Sequence, residues 1–125
     1  MKDRLKFVRI NEQMKAWSVA LDAELRDWRG VTSKRMFGMT VYFRKQVIFA
    51  ALPLTRAFET PTTVAFKLYR QKPETARKLS NDPLILSSAR EAPKWILLEL
   101  RGENDLRHAV KWFDFAYREC LLKNN

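Results

Sequence analysis

The chain has 125 residues, 46% of them hydrophobic and 12% aromatic, with a formal net charge of +10 and one cysteine. That is enough apolar material for one cored domain spanning 1–125, and three glycines with five prolines are too few for a disordered tract. The longest apolar run, Val47 to Leu52, is too short for a bilayer span, no apolar segment follows the charged N-terminus, and Cys120 has no internal disulfide partner, so a soluble, cytoplasmic protein is expected.

Ile10, Met14, Trp17, Leu21, Leu25 and Trp28 recur at helical spacing, with Lys15, Asp22 and Arg26 outside the stripe, which predicts an amphipathic helix closed by Gly30. Met39, Val41 and Phe43 then alternate with Thr40, Tyr42 and Arg44, the period of a half-buried strand. A tight connection at Lys45-Gln46 returns the chain as Val47 to Leu52, although these two residues lack the usual Asn-Gly turn chemistry. Pro53 and Thr60 to Thr63 bracket a loop, and Val64, Phe66 and Leu68 alternate with Ala65, Lys67 and Tyr69 as a third strand.

From Arg70 to Lys94 the periodicity is weak. Pro73 can open a short helix through Leu79, and Asn81-Asp82-Pro83 reads as a turn. Trp95 to Leu100 resumes a strand with Ile96, Leu98 and Leu100 on one face. Gly102 to Asp105 supplies turn and capping residues for a last helix, whose stripe is Leu106, Val110, Phe113, Tyr117 and Leu121. Each element has one apolar side to hide, so the economical arrangement is α+β: an antiparallel sheet of about four strands, packed on one face by the N- and C-terminal helices. Trp17 and Phe113 should be among the buried residues.

Few residues suggest chemistry. His108 is the only histidine and has no cysteine cluster to join, so no metal site and no cofactor are expected. Cys120 falls on the inner side of the last helix, where a buried, inert thiol is expected. Glu103 and Asp105 are explained by the helix dipole and capping, and Gly38 by a bend or close approach. No catalytic residue is assigned.

Trp28 with Val31, then Lys34-Arg35-Met36-Phe37-Gly38, a hairpin ending in Ile48-Phe49-Ala50, Phe66-Lys67-Leu68, and Trp95 entering a strand before an aromatic-rich helix together resemble the N-terminal domain of TfoX-like proteins. The MmcQ/YjbR-like group is similar in layout. The resemblance covers roughly Trp17 to Cys120; Met39 stands where a second glycine is common, and Arg70 to Lys94 has no counterpart. It implies an α+β domain, a link to the regulation of bacterial competence, and, through the YjbR-like group, a DNA-binding type of fold, with no catalytic motif.

The charge is uneven. Met1 to Arg29 holds seven Lys/Arg against five Asp/Glu, Gly30 to Lys94 twelve against four, and Trp95 to Asn125 five against five. A central segment of that sign attracts polyanions. If Val41, Phe43, Val64, Phe66, Ile96 and Leu98 face the helices, then Tyr42, Arg44, Lys67, Tyr69 and Trp95 share the opposite face, where aromatic rings between cations suit single-stranded nucleic acid. Lys34, Arg35, Arg70 and Lys72 extend that candidate DNA- or RNA-binding set. The expected function is a non-catalytic regulatory or binding module. One alternative is self-association, with Trp112 and Phe115 as a homodimer patch or else as core; another is a small-ligand pocket or enzyme between the hairpin and the Arg70 to Lys94 segment.

Overall fold

The computed structural model describes residues 6–70, 72–86 and 95–123. Gln71, residues 87–94 of the central segment and the side chain of Leu121 therefore lie outside the described residues. The element order is β1 (Phe7–Arg9), α1 (Glu12–Arg26), β2 (Val31–Met36), β3 (Met39–Arg44), β4 (Val47–Pro53), β5 (Arg56–Phe58), β6 (Thr63–Lys67), α2 (Pro73–Asn81), β7 (Trp95–Glu99) and α3 (Asp105–Lys123).

The first helix starts two residues after Ile10 because Asn11 caps it: the Asn11 side chain accepts the Met14 N–H at 2.8 Å. Met14, Trp17, Leu21 and Leu25 of the predicted stripe are all buried. Gly30, at φ +76°, turns the chain out of the helix and into β2. Strand β2 carries no apolar alternation, because Thr32, Ser33, Lys34 and Arg35 are polar, and all four are exposed. Its backbone nevertheless pairs with β3 along its whole length, from Val31↔Arg44 to Met36↔Met39.

Two tight hairpins follow each other. Phe37 and Gly38 join β2 to β3 with φ of +53° and +78°, and Lys45 and Gln46 join β3 to β4 with φ of +49° and +69°. Two positive φ values in a two-residue loop are those of a type I′ turn, whose twist matches the flanking strands. Gly38 is required for a second reason: an added Cβ would lie 2.9 Å from Thr55 Oγ1, and the Gly38 carbonyl accepts the N–H groups of Leu54, Thr55 and Arg56.

The main sheet has five strands rather than four, in the order β2-β3-β4-β6-β7, all antiparallel. Leu84 to Leu86 pair along the outer edge of β7 through Leu86 N–H to Leu97 O and Glu99 N–H to Leu84 O. A separate two-stranded ribbon, β1 with β5, holds Phe7 opposite Phe58. Both long helices pack on one face of the sheet, α1 over β2 and β4 and α3 over β4 and β6. The core between them includes Trp17, Phe49, Phe66 and Phe113, all buried. Burial of each such ring stabilises the fold by about 1.5–3 kcal/mol.

The face assignment of β3 needs correction. The register Ser33↔Tyr42↔Ala50↔Phe66↔Ile96 puts Tyr42 on the helix side, and Val31↔Arg44 puts Arg44 there too. Val41 and Phe43 therefore face away from the helices, whereas Val64, Phe66, Ile96 and Leu98 face them as expected. The physical reason is that β3 is covered on both sides. Met39 and Val41 point into a cavity of about 170 Å³ also lined by Phe7, Phe58 and Trp95, so hydrophobic alternation along the strand does not say which side holds the helices. A bulge between Tyr42 and Phe43 adds a residue to β4, and Phe49 uses it to reach Trp28 and Tyr117.

Candidate functional site

The side chains proposed from sequence for nucleic-acid binding divide into three groups. Tyr42 is fully buried, and its hydroxyl donates to Asp22 Oδ1 of α1 at 2.5 Å. Burial first, then the hydrogen bond and charge of Asp22, push the phenol well above its ordinary pKa. Arg44 lies 3.8 Å from the centre of the Tyr117 ring and donates to the Tyr117 carbonyl at 3.0 Å, which ties β3 to α3. Neither ring nor guanidinium is presented to a base.

Lys67, Tyr69 and Trp95 do gather on the face away from the helices, with Lys67 Nζ 5.0 Å from the Trp95 ring centre and 6.0 Å from that of Tyr69. Tyr69 is held from behind, because its hydroxyl donates to the Ile48 carbonyl at 2.9 Å and burial pushes its pKa up to about 12. Trp95 leans on Phe58 of the ribbon, 6.2 Å between ring centres. These aromatics are half-buried supports for the sheet and not an open stacking platform.

Lys34 and Arg35 enter a third environment. Where α1 passes over β4 and the edge strand β2, the helix and that strand form the two walls of a cleft of about 540 Å³. Ser33 and Arg35 share the helix-side face with Thr40 and Tyr42, and Lys15, Ser18 and Arg26 come down from the helix. Three cations, Lys15, Arg26 and Arg35, line this cleft against one carboxylate, Asp22, whereas Lys34 borders it but stands opposite Val41, so the register assigns its side chain to the other face of β2. Asp22 is already engaged by Arg26 Nε at 2.7 Å and by the Tyr42 hydroxyl. Lys15 makes a 3.3 Å pair with Glu12, whose side chain is 90% exposed, a contact that solvent or a ligand exchanges at little cost. Among the described residues Lys34 and Arg35 have no carboxylate within salt-bridge distance. Ser18 Oγ, at the cleft, is buried and lacks a hydrogen-bond partner among the described residues. Arg70 and Lys72 lie apart, in the connection from β6 to α2.

A second concavity was not foreseen. A groove of about 700 Å³ opens between α2 and α3, and a carboxylate from the predicted Asn81-Asp82-Pro83 turn organises its end. Asp82 Oδ2 lies 2.6 Å from His108 Nε2 and accepts the Trp112 indole N–H at 2.8 Å, while Oδ1 accepts the Leu84 N–H at 3.0 Å. Burial alone would raise the Asp82 carboxyl; the donors Trp112, Leu84 and His108 outweigh it and hold the pKa below the ordinary value. The usable sequence signal was the spacing His108, Lys111, Trp112, Phe115 on one helix, which marks a face but not the residue that meets it. Trp112 stacks on Phe66, 5.2 Å between centres and 14° between planes, with Phe115 edge-on beside it.

Cys120 is buried as expected, and burial pushes its thiol up to about 11. Asp105 stands in the first turn of α3, and its Oδ2 accepts the N–H groups of Arg101 and Gly102, which ties the turn before the helix to its start. No cluster of three metal-ligating side chains occurs among the described residues. Within the same residues no helix is long and apolar enough to cross a membrane. Comparison with known protein families, with functionally characterised proteins and with solved structures finds no match for this chain.

Proposed function

We propose that the chain is a non-catalytic regulatory or binding module that takes up polyanions, single-stranded nucleic acid in the first place, in the cleft between α1 and β2. The observation that carries this reading is the convergence of Lys15 and Arg26 of α1 with Arg35 of β2 on one cleft that holds a single, already engaged carboxylate, Asp22. Lysine and arginine neutralise backbone phosphates, and hydroxyls such as those of Ser33 and Thr40 add donors that position them. With Tyr42 buried, base stacking is absent from the scheme, so recognition is electrostatic and tolerant of sequence. The resemblance to TfoX-like N-terminal domains supports the same reading, since a nucleic-acid-linked regulatory role is what it implies.

Titration of a fluorescent oligothymidylate at increasing salt tests the proposal. Binding should weaken with a log-log slope of about 0.7 per phosphate neutralised. Lys15→Glu with Arg35→Glu should remove most of the affinity, while Lys67→Ala and Trp95→Ala leave it unchanged. Equal loss from Arg107→Glu, an exposed residue of α3, would reduce the effect to net charge, and undetectable binding at low salt would end the proposal.

A further inference from the structure

The groove between α2 and α3 differs in chemistry from the cleft beside α1. Its floor is aromatic, formed by Trp112 and Phe115, and its rims carry Arg77 and Lys78 on one helix and Lys111 on the other. Glu74, Arg77 and Lys78 on α2, and His108, Lys111 and Trp112 on α3, fall at i, i+3, i+4 and so share one face of each helix at the groove. No carboxylate lies within salt-bridge distance of the three cations among the described residues. Two carboxylates also line the groove, Glu74 exposed on α2 and Asp82 at its end with a side chain only 6% exposed, so three cations face two acids, of which Asp82 is turned to its own donors. Its bonds to His108 and Trp112 also hold both rings in place before any ligand arrives, which lowers the ordering cost of binding.

We propose that this groove is a binding site for a planar aromatic anion, its ring held against Trp112 and Phe115 and its charge met by Lys111 together with Arg77 or Lys78. About 700 Å³ is the volume of a small-molecule site. A second copy of the chain is the poorer occupant. A two-fold interface sets a patch against itself, which would bring Lys111, Arg77 and Lys78 against the same cations of the twin. An aromatic acid and a nucleotide share the required chemistry, and the probes separate them.

The experiment is a titration of isotopically labelled protein with 2-naphthoate, adenosine 5′-monophosphate and the neutral naphthalene-2-methanol, following the Trp112 indole N–H, which is identifiable by its bond to Asp82. One of the two anions should shift that signal and those of Lys111 and Phe115 in a saturable manner, the tighter of them naming the source. The neutral analogue should bind at least tenfold more weakly. Lys111→Glu, at an exposed position that the fold does not need, should weaken the anion at least tenfold, and Lys15→Glu with Arg35→Glu should have no effect, which keeps this site distinct from the α1 cleft. Equal binding of the neutral analogue with no effect of Lys111→Glu would overturn the proposal. So would concentration-dependent shifts without ligand, which assign the groove to a second copy. Binding of a Glu- and Leu-patterned helical peptide where both small anions fail would assign it to a protein partner instead.

Discussion

The two concavities on the helical side are built from the same kinds of residue and are held together by opposite means. In the cleft beside α1 the anchor is a phenol: Tyr42 is buried and neutral, and it gives its proton to the hydrogen bond with Asp22. In the groove between α2 and α3 the anchor is a carboxylate: Asp82 is buried and ionised, and it collects protons from three donors. A neutral acid kept protonated and a charged acid kept ionised fail at opposite ends of the pH scale. Whether a local structure survives acid or alkali is therefore decided by which partner is buried, and the net charge of +10 does not report it.

The largest expected effect lies on the alkaline side. Tyr42, Tyr69 and Cys120 all have raised pKa values in the folded chain, the last two to about 12 and about 11. Each contributes stability that is fully present below its ordinary value, near 10 for tyrosine and 9 for the thiol, and is lost as pH rises toward the folded value. Urea midpoints measured from pH 8 to 11 should fall together for all three groups. Tyr42→Phe should remove part of that slope and leave Cys120 unreactive toward thiol reagents until unfolding. An unchanged slope would show that the phenol of the cleft is not the anchor described.

Asp82→Ala tests the other anchor. Three donors lose a charged acceptor, two of them indole and backbone N–H groups in half-buried surroundings, and the cost should be about 3 kcal/mol in urea denaturation. In the native chain the contribution of Asp82 is present above about pH 3.9, the ordinary aspartate value, and disappears as pH falls through its lowered folded value. The variant should therefore lose part of the acid limb of the stability profile while keeping the alkaline one. A profile changed at both ends would mean that the two regions are coupled.

At neutral pH Tyr42→Phe should cost only about 1 kcal/mol, because Asp22 keeps Arg26 and access to water when the phenol is removed. The smallest effect serves as a control remote from both anchors. Gln46 sits at φ +69°, so Gln46→Gly should be neutral or stabilise by a few tenths to about 1 kcal/mol, as only a strained turn allows. A clear loss would mean that the Gln46 side chain is used.

Local pattern determined the helical stripes, the apolar run that became β4 and the alternation of β6 and β7. In each case a 3.6- or two-residue period meets one dominant apolar surface, so Met14 to Leu25 and Phe113 fell where expected. The buried thiol of Cys120 follows from position along an element in the same way. Tertiary structure decided what pattern could not. The polar strand β2 is ordered by its backbone pairing with β3, a contact that leaves no hydrophobic mark on Thr32 to Arg35. Strand β3 is buried on both sides, so its alternation is symmetrical and Tyr42 and Arg44 were assigned to the wrong face. The meeting of Asp82 with His108 and Trp112, 26 and 30 residues away, depends on how α2 is laid against α3, because hydrogen bonds across that separation come from packing and not from any period in the chain.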